Sequence, residues 1–260
     1  MGAVTESEFA VRNLADALES VRLAHFDAGS AACDYAALAR STERARLEAA
    51  LKALAAFDPR RATIPVSIGF WLNAYNACVL TGVLEAGAPA SVLDTQGFFE
   101  GECLRIAGLG FSLDDIEHGL LRGNAHKHGK LRGPMAKDDP RLALTPLIYD
   151  ERMHFALYSA CRSSPALRAF HAGQLERELE SAARDYLRRT VRVEQGGAIL
   201  VVPAVLHWYA ADFGGENGVL EFVLARIDDD EAIDMIDRRQ GRVKLRYAEF
   251  DWTLNSRSSG

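Results

Sequence analysis

"SIGFWLNAYNACVLTGVLEAG", residues 67–87, is a long and largely apolar segment near the middle of the first half of the chain. It is apolar on nearly every side, so we expect a helix that is buried all round at the centre of the protein. Gly87 stands where a helix C-terminus often places a glycine in the left-handed conformation. The stretch therefore predicts a central helix that ends just before Gly87, with the remaining elements packed around it.

Two amide side chains interrupt this apolar helix. Asn73 and Asn76 are three residues apart, which places them on one face. A buried amide without hydrogen-bond partners costs about 1–3 kcal/mol, so both side chains need polar neighbours. Two interpretations stay open. The amides bind the backbone of neighbouring loops, or they hold a catalytic loop or polarise a substrate carbonyl.

The chain before the central helix has helical spacing of its apolar residues. Two helices are expected, over about 7–27 and 42–57, and the second stops before Asp58-Pro59. We expect residues 1–57 to form a helical N-terminal segment packed on the core, and residues 58–260 to form the main domain.

The chain after the central helix mixes short strands and helices. The strong helix signals are Ser112 with Asp115, which have the spacing of a capping box, and Ser164-Pro165, a helix cap followed by a first helical position. The expected elements are, in chain order, a hairpin over 97–111, a helix over 113–122, strand-like stretches over 141–150 and 152–159, helices from 164 and over 173–189, a hairpin turning at Gly196-Gly197, short helices, and a late strand "RVKLRY".

No regular alternation of strand and helix runs through the sequence. An α+β class is therefore predicted, with mixed helices around a small, mostly antiparallel sheet and a helical N-terminal segment.

The composition is that of an ordinary soluble globular protein. Of its 260 residues, 48% are hydrophobic and 25% charged, and the net charge is −6, so no basic field points to nucleic acid. We see no apolar run of the ~18 residues that a membrane span needs. The N-terminal stretch "MGAVTESEFAVRNLADAL" has no basic region followed by an apolar one, so we expect no signal peptide in this chain, and the location stays unknown.

The four cysteines do not form a recognisable framework. Cys33, Cys78, Cys103 and Cys161 have no CxxC pair among them, and a disulfide scaffold is not expected in so long a chain. Cys78 and Cys103 stand among apolar residues and are interpreted as small hydrophobes.

"YSACRSSPALR", residues 158–168, is the candidate for chemistry. We interpret it as a turn from a strand into a helix, where the helix N-terminus would lower a thiol pKa or stabilise an oxyanion. Ser159 or Cys161 could then be a nucleophile if a histidine lay within hydrogen-bond reach. The alternative is that these serines only cap a helix and satisfy loop amides.

Histidines supply the candidate bases. His118 is ranked first, with Glu117 or Asp114 to orient it, and His154 second. A metal site is the alternative for the region that holds Glu117, His118, His126 and His128, but His-x-His alone is a weak metal signal. We expect no metal and no cofactor.

Five motifs in order resemble the DUF547 family. They are "FWLNAYNACVL", "DDIEHGLLR", "DPRLALTPLIYDERMHFALYSACRSSPALRAF", "VLHWYAADFG" and "FDWTLNS", and they span about residues 60–255. Members are mostly uncharacterised bacterial proteins, often exported. The resemblance implies a papain-like Glu/His/Cys arrangement and a thiol hydrolase.

Carried over residue by residue, the resemblance matches Glu117 and His118 to the family's Glu-His pair. Ser159 stands where the family usually has the cysteine, and Ala160 where it has a glycine. Serine is the weaker nucleophile at neutral pH, and an alanine cannot take a positive φ cheaply. The other expected site residues, assigned to binding, are Asn73, Asn76, His154, Cys161 and Arg168.

Two functions follow as hypotheses. The first is a hydrolase of amide or thiol-peptide bonds, with His118 as base, Glu117 as its orienter and Ser159 as nucleophile. The second is a catalytically inactive binding or scaffold module. In both, the expected partner is a small peptide or a thiol-containing ligand.

Overall fold

The computed structural model describes residues 6–28, 31–239 and 242–257. The α-helices of this part of the chain are α1 (Glu6–His25), α2 (Tyr35–Leu38), α3 (Thr42–Ala53), α4 (Ile64–Glu85), α5 (Leu175–Thr190), α6 (Val205–Trp208), α7 (Glu216–Leu224) and α8 (Asp230–Asp237). The strands are β1 (Glu102–Ile106), β2 (Leu109–Ser112), β3 (Arg192–Glu194), β4 (Ile199–Val202) and β5 (Lys244–Tyr247).

Helix α4 is the central helix that residues 67–87 predict. It begins after Thr63 with Pro65 in its first turn, where the missing proline N–H costs nothing. Every side of it is buried from Ser67 to Leu80. Gly87 follows the helix end with φ +73°, so the predicted glycine stop is confirmed.

The N-terminal helices pack in the same core as α4. Leu14 and Leu18 of α1 and Leu47 of α3 are fully buried in one hydrophobic cluster with the central helix. A second cluster joins α5 to β4 and to helices α6 and α7. The division into an N-terminal segment and a main domain stays a prediction, and part of it (residues 1–5, 29–30, 240–241 and 258–260) lies outside the described residues.

The strands form two small sheets, so the α+β class is confirmed with two sheets in place of one. β1 and β2 are an antiparallel hairpin that turns at Ala107-Gly108, both with positive φ. In the second sheet β4 pairs antiparallel with β3 and parallel with β5.

The strands expected over 141–150 and 152–159 are wrong. The chain forms short 3-10 turns there, Pro140–Leu144 and Glu151–Phe155. Asp139 and Asp150 precede these turns and accept hydrogen bonds from the backbone amides of Arg141 and Arg152 at 2.9 Å each. Side-chain caps of this kind favour a turn over an extended chain, and the apolar run is buried without joining a sheet.

The helix expected from Ser164 is also absent, and the next helical turn in the described chain begins at Ala172. The Ser164 hydroxyl accepts from the Ser159 amide at 2.8 Å and donates to the Pro165 carbonyl at 2.8 Å. Ser164 therefore closes the loop that holds Ser159, and no helix dipole acts at this turn.

The C-terminal tail connects this loop to the N-terminal segment. Asn255 accepts hydrogen bonds from the hydroxyls of Tyr35 and Tyr158 at 2.7 and 2.8 Å. The backbone N–H of Asn255 donates to the Ala160 carbonyl at 3.1 Å, and its backbone carbonyl accepts from the Cys33 N–H at 2.8 Å. Three distant parts of the chain thus meet at one buried asparagine.

Helix α4 is the one helix of the described residues that is long and apolar enough to cross a membrane. Of its most apolar window, 83% is buried inside the protein, as expected of a core helix.

Candidate functional site

A cavity of about 280 Å³ brings together the residues that the sequence singled out for chemistry. Glu117, His118, His154 and Ser159 all line it, although they come from segments that are far apart in the chain. Asp114 and Lys127 also line it, joined by hydrogen bonds of 2.9 and 3.0 Å from the lysine ammonium to the two carboxylate oxygens.

Most of the remaining wall is aromatic. Trp208 and Trp252 lie nearly parallel with ring centroids 6.1 Å apart, and Phe250 packs against both at 4.8 and 4.6 Å. Phe99 extends the group at 6.0 Å from Trp252. Such a wall favours a ligand with an apolar or flat group, because aromatic faces bury large areas with a defined geometry.

Glu117 is a largely buried carboxylate fixed by two tyrosines. Its Oε1 accepts from the Tyr209 hydroxyl at 2.7 Å and its Oε2 from the Tyr75 hydroxyl at 3.3 Å. Burial alone would raise the pKa of Glu117, but the nearby imidazoles, the Tyr209 hydroxyl and Arg122 outweigh it and lower that pKa. The carboxylate is therefore ionised at neutral pH.

His118 lies on a wide helical turn, Asp115–Leu121, in which the backbone bonds span five residues. The turn begins with the predicted capping box, since Ser112 and Asp115 exchange hydrogen bonds of 3.0 Å each. Wide turns of this type occur often at functional sites. The helix expected over 113–122 is confirmed, with this wider geometry.

The ring of His118 is 1% exposed and has three charged neighbours. Its Nδ1 is 3.1 Å from Nη1 of Arg122 and 3.8 Å from Oε1 of Glu117, and its Nε2 is 3.7 Å from Oδ1 of Asp114. Arg122 is thus the hydrogen-bond partner of the ring, while Glu117 is too far away to orient it as expected. Burial lowers the pKa of His118 in spite of the two carboxylates, so the ring is neutral at pH 7.

His154 belongs to a second charged group. Its Nε2 is 2.9 Å from Oδ2 of Asp212 and 3.1 Å from the Tyr149 hydroxyl. Its ring lies flat on Tyr209, with centroids 4.1 Å apart and planes 9° apart. Burial would raise the pKa of Asp212, but the hydrogen bonds from His154 and Arg122 overcome this and depress it strongly.

Ser159 and Cys161 lie beside each other, with 3.6 Å between Oγ and Sγ. Ser159 faces the cavity, whereas Cys161 does not line it. Burial raises the pKa of the Cys161 thiol to about 11. Ala160 between them has φ +55°, the conformation that a glycine would adopt freely.

The two central-helix amides bind loop backbone. Asn73 exchanges hydrogen bonds with the Phe170 amide and carbonyl, at 2.9 and 2.7 Å. Asn76 accepts from the Tyr158 amide at 2.9 Å and donates to the carbonyls of Ala156 and Arg168 at 3.0 and 3.3 Å. They hold the segment that carries Ser159 and do not line the cavity.

The remaining predicted residues lie elsewhere. The Arg168 side chain forms an ion pair with Asp185 and lines a different cleft, beside helix α1. His128 lines the cavity and packs near Trp208 with centroids 6.4 Å apart. Among the described residues, no group of three or more His, Cys, Asp or Glu side chains could hold a metal ion, so Glu117, His118, His126 and His128 do not form the alternative metal site.

Comparison with protein families assigns part of the chain. The family DUF547, described as a protein of unknown function, matches residues 63–187. The chain contains a DUF547 domain. No curated protein and no solved structure matches it.

The DUF547 match covers most of the cavity, including Glu117, His118, His154 and Ser159. The aromatic lining residues Trp208, Tyr209, Phe250 and Trp252 follow the matched residues, and so does Asp212, the partner of His154. Arg122 and Asp212 were not among the predicted site residues. A signal for them was present, because Arg122 ends the motif "DDIEHGLLR" and Asp212 lies in the motif "VLHWYAADFG".

Proposed function

We propose that this DUF547 protein is a hydrolase of amide or thiol-peptide bonds in small ligands, with Ser159 as nucleophile. The observation that carries the proposal is the shared cavity, which is lined by the Ser159 hydroxyl, by the imidazoles of His118 and His154, and by the carboxylates of Asp114 and Glu117. Asp212, outside the lining, binds His154 from behind. Convergence of a nucleophile, bases and orienting acids in one pocket is the arrangement that acyl transfer needs.

The chemistry requires a base for the hydroxyl proton. Ser159 Oγ attacks the carbonyl carbon, and its proton passes to an imidazole nitrogen of the cavity. That imidazole returns the proton to the leaving nitrogen or sulfur as the bond to the carbonyl carbon breaks. Water then hydrolyses the acyl-serine with the same imidazole as base, which restores the hydroxyl. His118 and His154 are the two candidates.

Cys161 is the less suitable nucleophile. Its side chain is 2% exposed and does not line the cavity, and burial raises its thiol pKa to about 11. Since the thiolate is the reactive form, almost none is present at neutral pH.

The cavity supports a small substrate. Its volume of about 280 Å³ is near the lower end for ligand pockets, and aromatic side chains form a large part of its wall. The acyl or leaving group is therefore expected to be compact and apolar or flat, such as one aromatic residue of a short peptide.

A binding module is the second candidate, favoured by one observation. The Ser159 hydroxyl contacts the Cys161 sulfur at 3.6 Å, and the hydrogen bond of His118 is with Arg122. A pocket that binds without turnover would have this resting geometry too.

A fluorophosphonate probe followed by peptide mass spectrometry tests the proposal. We expect labelling on Ser159 in the wild-type protein and its loss in Ser159→Ala, with Ser163→Ala as a matched control that keeps labelling. Absence of wild-type labelling contradicts the hydrolase. Turnover that appears only in Ser159→Cys would identify an inactive natural variant and favour the binding module.

A further inference from the structure

Arg122 connects two histidines of the cavity, His118 directly and His154 through Asp212. Its Nε and Nη2 donate to the Asp212 carboxylate at 2.6 and 3.0 Å, and its Nη1 donates to the His126 carbonyl at 3.0 Å. The guanidinium stacks on the Tyr209 ring at 4.5 Å, and its side chain is almost fully buried. The contacts with Asp212, His126 and Tyr209 therefore fix the position of the Arg122 guanidinium independently of His118.

The contact with Arg122 decides which nitrogen of His118 carries the proton. Nη1 of Arg122 is 3.1 Å from Nδ1, and a guanidinium has only donors. Nδ1 must therefore accept, which leaves the proton of the neutral ring on Nε2. The Nε2 atom is 3.7 Å from the Asp114 carboxylate, too far for a hydrogen bond, so its N–H is open to a ligand atom.

The charged partner of His154 is a hydrogen-bond acceptor, whereas that of His118 is a donor. Its Nε2 lies 2.9 Å from Asp212 Oδ2, and the ionised carboxylate can only accept. The Nε2 proton is therefore committed to Asp212, and Nδ1 is the nitrogen that keeps its lone pair. An imidazole that donates to an aspartate from one nitrogen and accepts at the other is the usual general base.

We propose that His118 is a hydrogen-bond donor to the substrate carbonyl oxygen, that Arg122 is the positioning residue which enforces this, and that His154 oriented by Asp212 is the base. The proposal rests on the proposed function and assigns its roles. Nε2–H of His118 stabilises the negative charge that develops on the carbonyl oxygen when Ser159 attacks. The ligand it selects has an acceptor oxygen beside the apolar group that fills the aromatic wall.

Nitrogen-15 NMR of the wild-type protein tests the tautomer without any ligand. Long-range proton–nitrogen spectra at pH 7 distinguish a protonated ring nitrogen from an accepting one, and the His118 signals are assigned by their loss in His118→Gln. We expect Nε2–H with an accepting Nδ1, and a shift toward the mixed tautomers of a free imidazole in Arg122→Gln. A His118 ring protonated at Nδ1 in the wild-type protein overturns the proposal.

A pair of amide variants tests the role. The longer side chain of His118→Gln can place an N–H near the position of Nε2 but cannot act as a base, whereas His118→Asn is too short. With the fluorophosphonate probe, we expect His118→Gln to stay within about tenfold of the wild-type labelling rate and His118→Asn to lose about 10²–10³-fold. His154→Gln should lose about 10²–10⁴-fold.

The outcomes separate the two proposals. Loss of labelling in His118→Gln equal to that in His118→Asn, with both folded by circular dichroism, contradicts the donor role. Absence of any labelling in the wild-type protein contradicts the hydrolase, while the NMR result still decides the tautomer of His118.

Discussion

Arg122 and Asp212 form a two-point ion pair, with 2.6 Å from Nε to Oδ2 and 3.0 Å from Nη2 to Oδ1, across 90 residues of chain. The pair is largely buried and contacts His118 on one side and His154 on the other. Breaking a buried pair by removing one partner leaves an uncompensated charge, and this costs more than the pair itself contributes.

The variant Asp212→Asn should therefore lower the free energy of unfolding by about 3–5 kcal/mol in urea titrations. Glu48→Gln is the matched control, since it removes one partner of the Arg44–Glu48 pair, whose two side chains are 35% and 49% exposed. Glu48→Gln should lower the free energy of unfolding by less than about 1 kcal/mol. Equal losses in the two variants would contradict a special role of burial.

The Asp212 carboxyl also makes the free energy of unfolding depend on pH. Burial would raise the pKa of Asp212, but the hydrogen bonds from His154 and Arg122 depress it. A carboxyl with a depressed folded pKa contributes stability that is present above its unfolded pKa of about 3.9 and is lost as the pH falls toward the folded pKa. The stability difference between wild type and Asp212→Asn should be largest above about pH 5 and should shrink below about pH 4. A difference that grows on acidification would contradict this origin.

Asn76 should be the most sensitive polar residue of the central helix. Its side-chain amide forms hydrogen bonds with three backbone groups in two loops, those of Ala156, Tyr158 and Arg168. Asn76→Ala leaves these groups unpaired, and we expect a loss of at least about 3 kcal/mol in the free energy of unfolding. Thr81→Ala is the control on the same helix, because the Thr81 hydroxyl bonds only carbonyls of its own helix. If Asn76→Ala lost no more unfolding free energy than Thr81→Ala, the backbone groups of the two loops would have found other hydrogen-bond partners.

Two alanines with positive φ should respond differently to glycine. Ala107 (φ +51°) is exposed in the hairpin turn, so Ala107→Gly relieves strain and should stabilise the protein by about 1 kcal/mol. Ala160 (φ +55°) is fully buried, and removing its methyl group costs about 0.8 kcal/mol, so Ala160→Gly should be nearly neutral. Thermal unfolding of the two variants measures the contrast. An Ala160→Gly gain as large as that of Ala107→Gly would mean that the Ala160 methyl group packs poorly.

Thiol reactivity distinguishes two of the cysteines. Burial raises the pKa of the Cys161 thiol to about 11, so only about one thiol in 10⁴ is ionised at pH 7. Cys103 is exposed on strand β1. Iodoacetamide with peptide mass spectrometry should alkylate Cys103 at least about a hundredfold faster than Cys161. Rapid alkylation of Cys161 would contradict its placement outside the cavity and revive it as a nucleophile.

Neighbouring residues alone determined the local elements. The apolar run before Gly87 predicts α4, the Ser112–Asp115 spacing predicts a capped helix, and the ordered motifs predict the DUF547 family. The helix and its cap depend on contacts within a few positions, which the order of residues specifies directly, and the family resemblance depends on the residues themselves without any contact.

The loops around Ser159 were predicted less well. An apolar run such as residues 152–159 is compatible with a strand or with any buried segment, because the spacing of apolar residues indicates which side chains are buried but not which segments pair. The side chains of Asp150 and Ser164 stabilise turns here by accepting backbone hydrogen bonds, and the segment does not pair with a strand of the described chain.

Patterns in the residue order were enough to predict the central helix, the DUF547 resemblance and the candidate residues Glu117, His118, His154 and Ser159. The partners of those side chains became visible only in the folded chain. Arg122 in place of Glu117 binds the His118 ring, and Asp212, 58 residues beyond His154, binds the other imidazole. Such roles depend on the direction of a few hydrogen bonds between distant segments, and that direction is set only when the whole chain has packed around α4.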